Sequence, residues 1–132
     1  MSSQGAGRLI LIVEDNEKNL KLARDVLQFH GFRTLEAING EEAVVMARQH
    51  LPDLVLMDIA LPGIDGVEAT RQLKAQPSTA AIPIVALTAS VTEADRARFG
   101  AAGFAGLIAK PIDVLKFPTQ VLAHCPNPRE EA

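Results

Sequence analysis

Five chemically capable residues stand where apolar runs stop. Leu9 to Val13 give way to Glu14 and Asp15, Leu54 to Met57 to Asp58, Val85 to Leu87 to Thr88, and Leu107 to Ala109 to Lys110, directly before Pro111. An ionised carboxylate beside buried apolar strands is costly unless something pairs with it. Three carboxylates brought together repel and raise one another's pKa unless a cation lies among them. Mg²⁺ is a hard ion that takes a few carboxylates with carbonyl and water oxygens. Three carboxylates, one lysine and one Mg²⁺ then sum to zero formal charge. Such a set suits phosphoryl transfer onto a carboxylate, with Asp58, on the central strand, as nucleophile. Mg²⁺ and Lys110 would neutralise charge spread over the phosphoryl oxygens, and Thr88 would donate its hydroxyl to one of them. Each residue alone has an ordinary explanation: an acid after a strand caps a helix, a threonine serves a loop, a lysine is solvated. It is the joint pattern that points to chemistry.

For these residues to meet, the elements carrying them must share one edge. The chain alternates strand and helix. Strands are expected at Leu9–Val13, Phe32–Ala37, the run from Leu54, Ile82–Leu87 and the stretch leading to Lys110. The second is more polar and suits a sheet edge, whereas the first and third read as buried on both faces. Helical spacing follows from Asn16 to Gly31, with Leu22, Ala23, Val26, Leu27 and His30 on the buried side and Leu20 off it. An exposed Leu20 would suit a donor helix; a buried one would complete the core margin. Further helices are expected over Glu41–His50, with Ala43, Val44 and Ala47 inward, over Val67–Ala75, and after a Thr92 cap to about Gly100–Gly103. Asp113 is expected to cap a last helix that Pro118 breaks or kinks. Phe99 and Phe104 read as packing around strand five. Five strand–helix pairs imply an α/β fold: a five-stranded parallel sheet, order 2-1-3-4-5, with helices on both faces, flavodoxin-like, and ligands at the carboxyl edge. Residues 1–7 are expected to be a flexible N-terminus, 8–123 one domain, and 124–132 a flexible, Pro-rich tail.

Bulk properties narrow the classes. With 132 residues, 48% hydrophobic and 22% charged, the chain fits one soluble domain with one core. A net charge of −3 without a basic cluster gives no footprint for nucleic acid, and five Phe with no Trp or Tyr provide little for stacking on bases. There is no signal-peptide core and no apolar run long enough to span a membrane, so a cytoplasmic, bacterial location is expected. Cys125 is the single cysteine, with no neighbour that would activate it. The three histidines lack ligand spacing.

The stretches "VEDN", "DLVLMDIALPGIDG", "ALTAS" and "AKP" resemble the receiver domain of two-component response regulators, the CheY-like family, from Leu9 to about Leu122. "EDNEKNLKLA" looks most like small single-domain receivers of the DivK type. The resemblance implies that Asp58 is the phosphoacceptor. Glu14 and Asp15 hold Mg²⁺ with the Asp58 carboxylate and the backbone carbonyl of Ala60. Thr88 and Lys110 bind the phosphoryl group, and the Lys110–Pro111 peptide is cis. It implies a signalling protein, not an enzyme, that catalyses only its own phosphorylation and dephosphorylation. The donor would be a sensor histidine kinase or a histidine phosphotransfer protein. Output would go to a downstream protein through the face of helix four, strand five and helix five, with no nucleic acid or membrane partner. Receivers usually carry Tyr or Phe three residues before the lysine, which swings inward as the threonine moves. Here that switch position is Leu107, which has no hydroxyl and less area, so the output face is expected to switch less or differently.

Three other classes share features of this pattern. A flavodoxin-like carrier would need a phosphate-cradling first loop, where Glu14 and Asp15 would instead repel. A Mg²⁺-dependent phosphatase of the haloacid dehalogenase type normally has a second acid two residues after the nucleophile; here that residue is Ala60. A pseudo-receiver would bind partners without phosphorylation; the full set of acids, threonine and lysine argues against it, and Leu107 keeps it open.

Overall fold

A computed structural model describes residues 5–126 of the chain. Parts of the expected N-terminal arm and tail, residues 1–4 and 127–132, lie outside the described residues. The elements are β1 (Leu9–Val13), α1 (Glu17–Phe29), β2 (Arg33–Ala37), α2 (Gly40–His50), β3 (Leu54–Asp58), α3 (Gly66–Lys74), β4 (Ile84–Thr88), α4 (Glu93–Ala102), β5 (Gly106–Ala109) and α5 (Phe117–His124). All four strand pairings are parallel, and the order is β2-β1-β3-β4-β5, as the alternating pattern requires.

Side chains on a strand alternate between faces, and the core divides accordingly. Ile10, Ile12, Leu54, Leu56, Val85, Leu87 and Ile108 pack with α1 and α5. Leu11, Val13, Val55, Met57, Ile84 and Ala86 pack with α2, α3 and α4, together with Phe99 and Phe104. The two phenylalanine rings meet edge to face, 5.7 Å apart. Because the connections after β1 and β3 leave in opposite directions, a crevice opens between those two carboxyl ends, the place where such sheets bind ligands.

Two expectations about helices need correction. In α1 the buried stripe is Leu20, Ala23 and Leu27, and Leu22 is exposed. Spacings of three and seven place those three on one side, so Leu20 completes the core. His30 is half-buried, and its ring meets that of Phe29 edge to face. Pro118 does not break α5. It occupies the second helical position, where its missing N–H removes no intrahelical bond. The Asp113 carboxylate accepts from the amides of Leu115 and Lys116, in the turn before α5, so it caps that turn and not the helix. β4 begins at Ile84, two residues later than expected, after Pro83. α5 runs through His124, and Cys125 is half-buried at the core margin; burial pushes its thiol up to about 11. Among the described residues, no helix is long and apolar enough to cross a membrane.

Candidate functional site

Strand parity sets up the site before any loop is considered. Glu14 follows Ile10 and Ile12, Asp58 follows Leu54 and Leu56, and Lys110 follows Ile108. All three therefore fall on the α1/α5 side at the carboxyl edge. Thr88 follows Ile84 and Ala86 and falls on the α4 side, as does Leu107. Asn16, not Asp15, caps α1, its side chain accepting the Asn19 amide at 3.0 Å, which leaves the exposed Asp15 carboxylate uncommitted to the helix. At the other end of the crevice α3 starts hard against β3. A Cβ on Gly66 would lie 2.3 Å from the Asp58 carbonyl oxygen, so only glycine permits that approach.

The ion pairs are direct. Lys110 Nζ lies 3.1 Å from Glu14 Oε1 and 3.3 Å from Asp58 Oδ2. The Asn16 amide donates to Glu14 Oε2 at 3.2 Å, and the Ala60 amide to Asp58 Oδ1 at 3.0 Å. Glu14 and Asp58 are buried at 2% and 4% exposure, so neither charge is relieved by bulk water. Burial, reinforced by the neighbouring Asp58 carboxyl, raises the Glu14 pKa above its ordinary value, against the opposing pull of Lys110 and the Asn16 amide. For Lys110, burial alone would lower the pKa; the hydrogen bond to Glu14 and the charge of Asp58 outweigh it, and the net shift is upward.

Glu14, Asp15 and Asp58 each offer a carboxylate oxygen within 4.8 Å of the others. One ammonium among three carboxylates leaves two negative charges uncompensated. An all-oxygen donor set with that excess fits a hard divalent cation such as Mg²⁺. Thr88 is buried, and its hydroxyl donates to the Ser90 carbonyl at 3.2 Å while accepting the Ser90 amide at 3.1 Å. The Lys110–Pro111 peptide is cis. Leu107 is half-buried against the α4-side core, in register with Ala86. Thus Glu14, Asp15, Asp58 and Lys110 come together, with Ala60 adjoining through its amide, while Thr88 is turned into its own loop. Ser90 and Asp95, which the sequence reading passed over, extend that loop: the Ser90 hydroxyl donates to Asp95 Oδ2. The Thr92-x-x-Asp95 spacing of a helix start was the available signal.

The sequence matches the response regulator receiver domain over residues 10–121. It is 44% identical over 108 residues to the polar-differentiation response regulator DivK of Brucella anthropi, covering 82% of this chain and 88% of that protein. Among solved structures it is similar to the receiver domain of a sensor histidine kinase from Pseudomonas aeruginosa. That likeness has a TM-score of 0.79 at 36% identity, covering 88% of this chain and 94% of the other, and the other holds a magnesium ion in its active-site cleft. The chemotaxis response regulator CheY4 of Vibrio cholerae shares the fold, with a TM-score of 0.85 at 22% identity over 89% of this chain and 98% of that one.

Proposed function

The chain belongs to the response regulator receiver domain family of two-component signalling, and on that premise we propose that Asp58 accepts a phosphoryl group from a phosphohistidine. The donor is a sensor histidine kinase or a histidine phosphotransfer protein. A carboxylate oxygen of Asp58 attacks phosphorus, a P–O bond forms, the P–N bond to the donor imidazole breaks, and its electron pair stays on the ring nitrogen. The observation that carries this reading is the Lys110 ammonium held between Glu14 and Asp58 at 3.1 and 3.3 Å. It lies beside the carboxylate whose oxygen becomes bonded to phosphorus, where charge develops. The Ala60 amide fixes the other face of the Asp58 carboxylate. Glu14, Asp15, Asp58 and the Ala60 carbonyl would hold Mg²⁺, which when bound supplies charge neutralisation at the phosphoryl oxygens. Thr88 supplies a hydroxyl to one of those oxygens. Water later attacks phosphorus, the P–O bond to Asp58 breaks, and the carboxylate is restored. The protein therefore acts on itself and not on a separate substrate.

Residues 8–123 form the working unit in this proposal, and the α4–β5–α5 face meets a downstream protein, in the bacterial cytoplasm. The test is incubation with Mg²⁺ and either acetyl phosphate or beryllofluoride. Wild-type protein is expected to gain one phosphoryl group by intact-mass measurement and to shift its amide spectrum with beryllofluoride. Asp58→Asn is expected to do neither, and a response that persists in that variant removes the assignment of the acceptor.

A further inference from the structure

A hydroxyl has one proton to donate. Thr88 gives its proton to the Ser90 carbonyl, so it does not serve a phosphoryl oxygen while that bond stands. Ser90 is itself held, because its hydroxyl donates to Asp95 Oδ2. The same oxygen receives the Thr92 hydroxyl at 2.9 Å, and Thr92 Oγ1 caps α4 by accepting the Asp95 amide at 3.1 Å. Asp95 Oδ1 lies 3.6 Å from Arg98 Nη2, one turn along the helix. One carboxylate thus ties the residue that occupies Thr88 to the first turn of α4. Hydrogen bonds from Ser90 and Thr92 hold the Asp95 carboxyl below its ordinary pKa, so it is charged when it accepts them. The bonds of Ser90 and Thr92 to Asp95 are exposed, so water competes with them and that end of the arrangement is readily reversible, while the Thr88 hydroxyl is buried. Leu107 offers no rival hydrogen-bonded route, having no hydroxyl.

We propose that Ser90 and Asp95 form a latch that keeps Thr88 turned into its own loop, and that occupation of Asp58 opens this latch and loosens the first turn of α4. Asp95 is then a positioning residue that acts on Thr88 through Ser90. The proposal rests on the reading of Asp58 as acceptor. When Thr88 turns to a phosphoryl oxygen it releases the Ser90 carbonyl, and the displaced Ser90 withdraws its hydroxyl from Asp95. The helix start then loses the carboxylate arrangement that pinned it.

Beryllofluoride titration in Mg²⁺ and amide hydrogen exchange across α4, on full-length wild type, Ser90→Ala, Ser90→Thr and Asp95→Ala, test it. Ser90→Ala and Asp95→Ala, each of which removes the Ser90–Asp95 bond, are expected to bind beryllofluoride about five-fold more tightly, the loss of one modest hydrogen bond from the latched state. Without ligand, both should show exchange in the first turn of α4 that wild type reaches only with beryllofluoride. Ser90→Thr keeps the hydroxyl and is expected to behave as wild type, which separates the latch from general damage to the loop. An unchanged or weaker midpoint in Ser90→Ala, with unchanged exchange, overturns the latch while leaving Asp58 in place. Failure of wild type itself to bind beryllofluoride overturns the acceptor reading and the latch with it.

Discussion

Lys110 joins two tasks that a substitution would separate. It relieves repulsion between Glu14 and Asp58, and it adds a positive charge where a divalent cation would also sit. Replacing it with methionine keeps much of the stem's packing and removes the charge. Lys110→Met is therefore expected to bind Mg²⁺ several-fold more tightly, measured by calorimetry, because one competing cation is gone. The same variant is expected to lose roughly 10²-fold in its rate of phosphorylation by acetyl phosphate, on the scale of one preorganised charge in a transition state. A parallel fall in both quantities would show Lys110 to be structural only. At this scale the sequence revealed a great deal: Glu14 and Asp58 each end a buried apolar run, where a charge demands a partner, and Lys110 stands at the end of the shorter, half-buried β5. It revealed less about Thr88, because a hydroxyl's partner depends on loop conformation. Ser90 and Asp95 look like any polar loop and acidic first turn until their distances are known.

Whole elements were readable where burial forces a pattern, and misread where an end condition decides. Four of the five strands follow from apolar runs, since both faces of a parallel sheet are covered, while the more polar β2 lies at the sheet edge. The stripe of α1 was misplaced because Leu20 and Leu22 both fit a helical pattern, and only the seat of α1 on β1 makes Leu20 the buried one. Pro118 read as a breaker because the helix start was placed at Asp113; a start three residues later makes the same residue a suitable opener. The contact of α5 with β5 left no trace in the sequence at all. A Cβ on Gly106 would lie 2.4 Å from His124 Cε1, so β5 needs glycine to seat the imidazole. Gly106→Ala is expected to destabilise by about 1–3 kcal/mol in urea unfolding, with most of that loss relieved in a His124→Ala background, a coupling that a double-mutant cycle measures. Burial lowers the His124 pKa. The unfolded chain then binds more protons than the folded one as the pH drops below about 6.5. The stability this histidine contributes is present above that value and is lost as pH falls through its lower folded pKa. His124→Gln is expected to flatten that part of the stability curve.

For the molecule as a whole, the site is a point of strain at the end of a well-packed sheet. Its groups come from β1, β3, β4 and β5, so whatever binds there bridges most of the strands. Without a cation, the raised Glu14 pKa means the folded state holds its proton more tightly than the unfolded one. The corresponding stability is fully present below the ordinary carboxylate pKa and is lost as pH rises through the folded value, so near neutral pH the Glu14 charge opposes folding, while the upward shift of Lys110 acts in the other direction. Removing one charge should relieve this. In the presence of a chelator, Asp58→Asn is expected to melt a few degrees above wild type, on the order of 1 kcal/mol, since asparagine can still accept the Ala60 amide. Mg²⁺ should reverse the ranking. At about 100 times its dissociation constant it adds roughly 2.7 kcal/mol to wild type, about 10 °C for a chain of this length, and much less to the variant. Calorimetry of both proteins with and without Mg²⁺ measures all four melting temperatures. A wild type that is already the more stable of the two under chelation would mean the carboxylates are satisfied by Lys110 alone, and the need for a divalent cation at this edge would go with it.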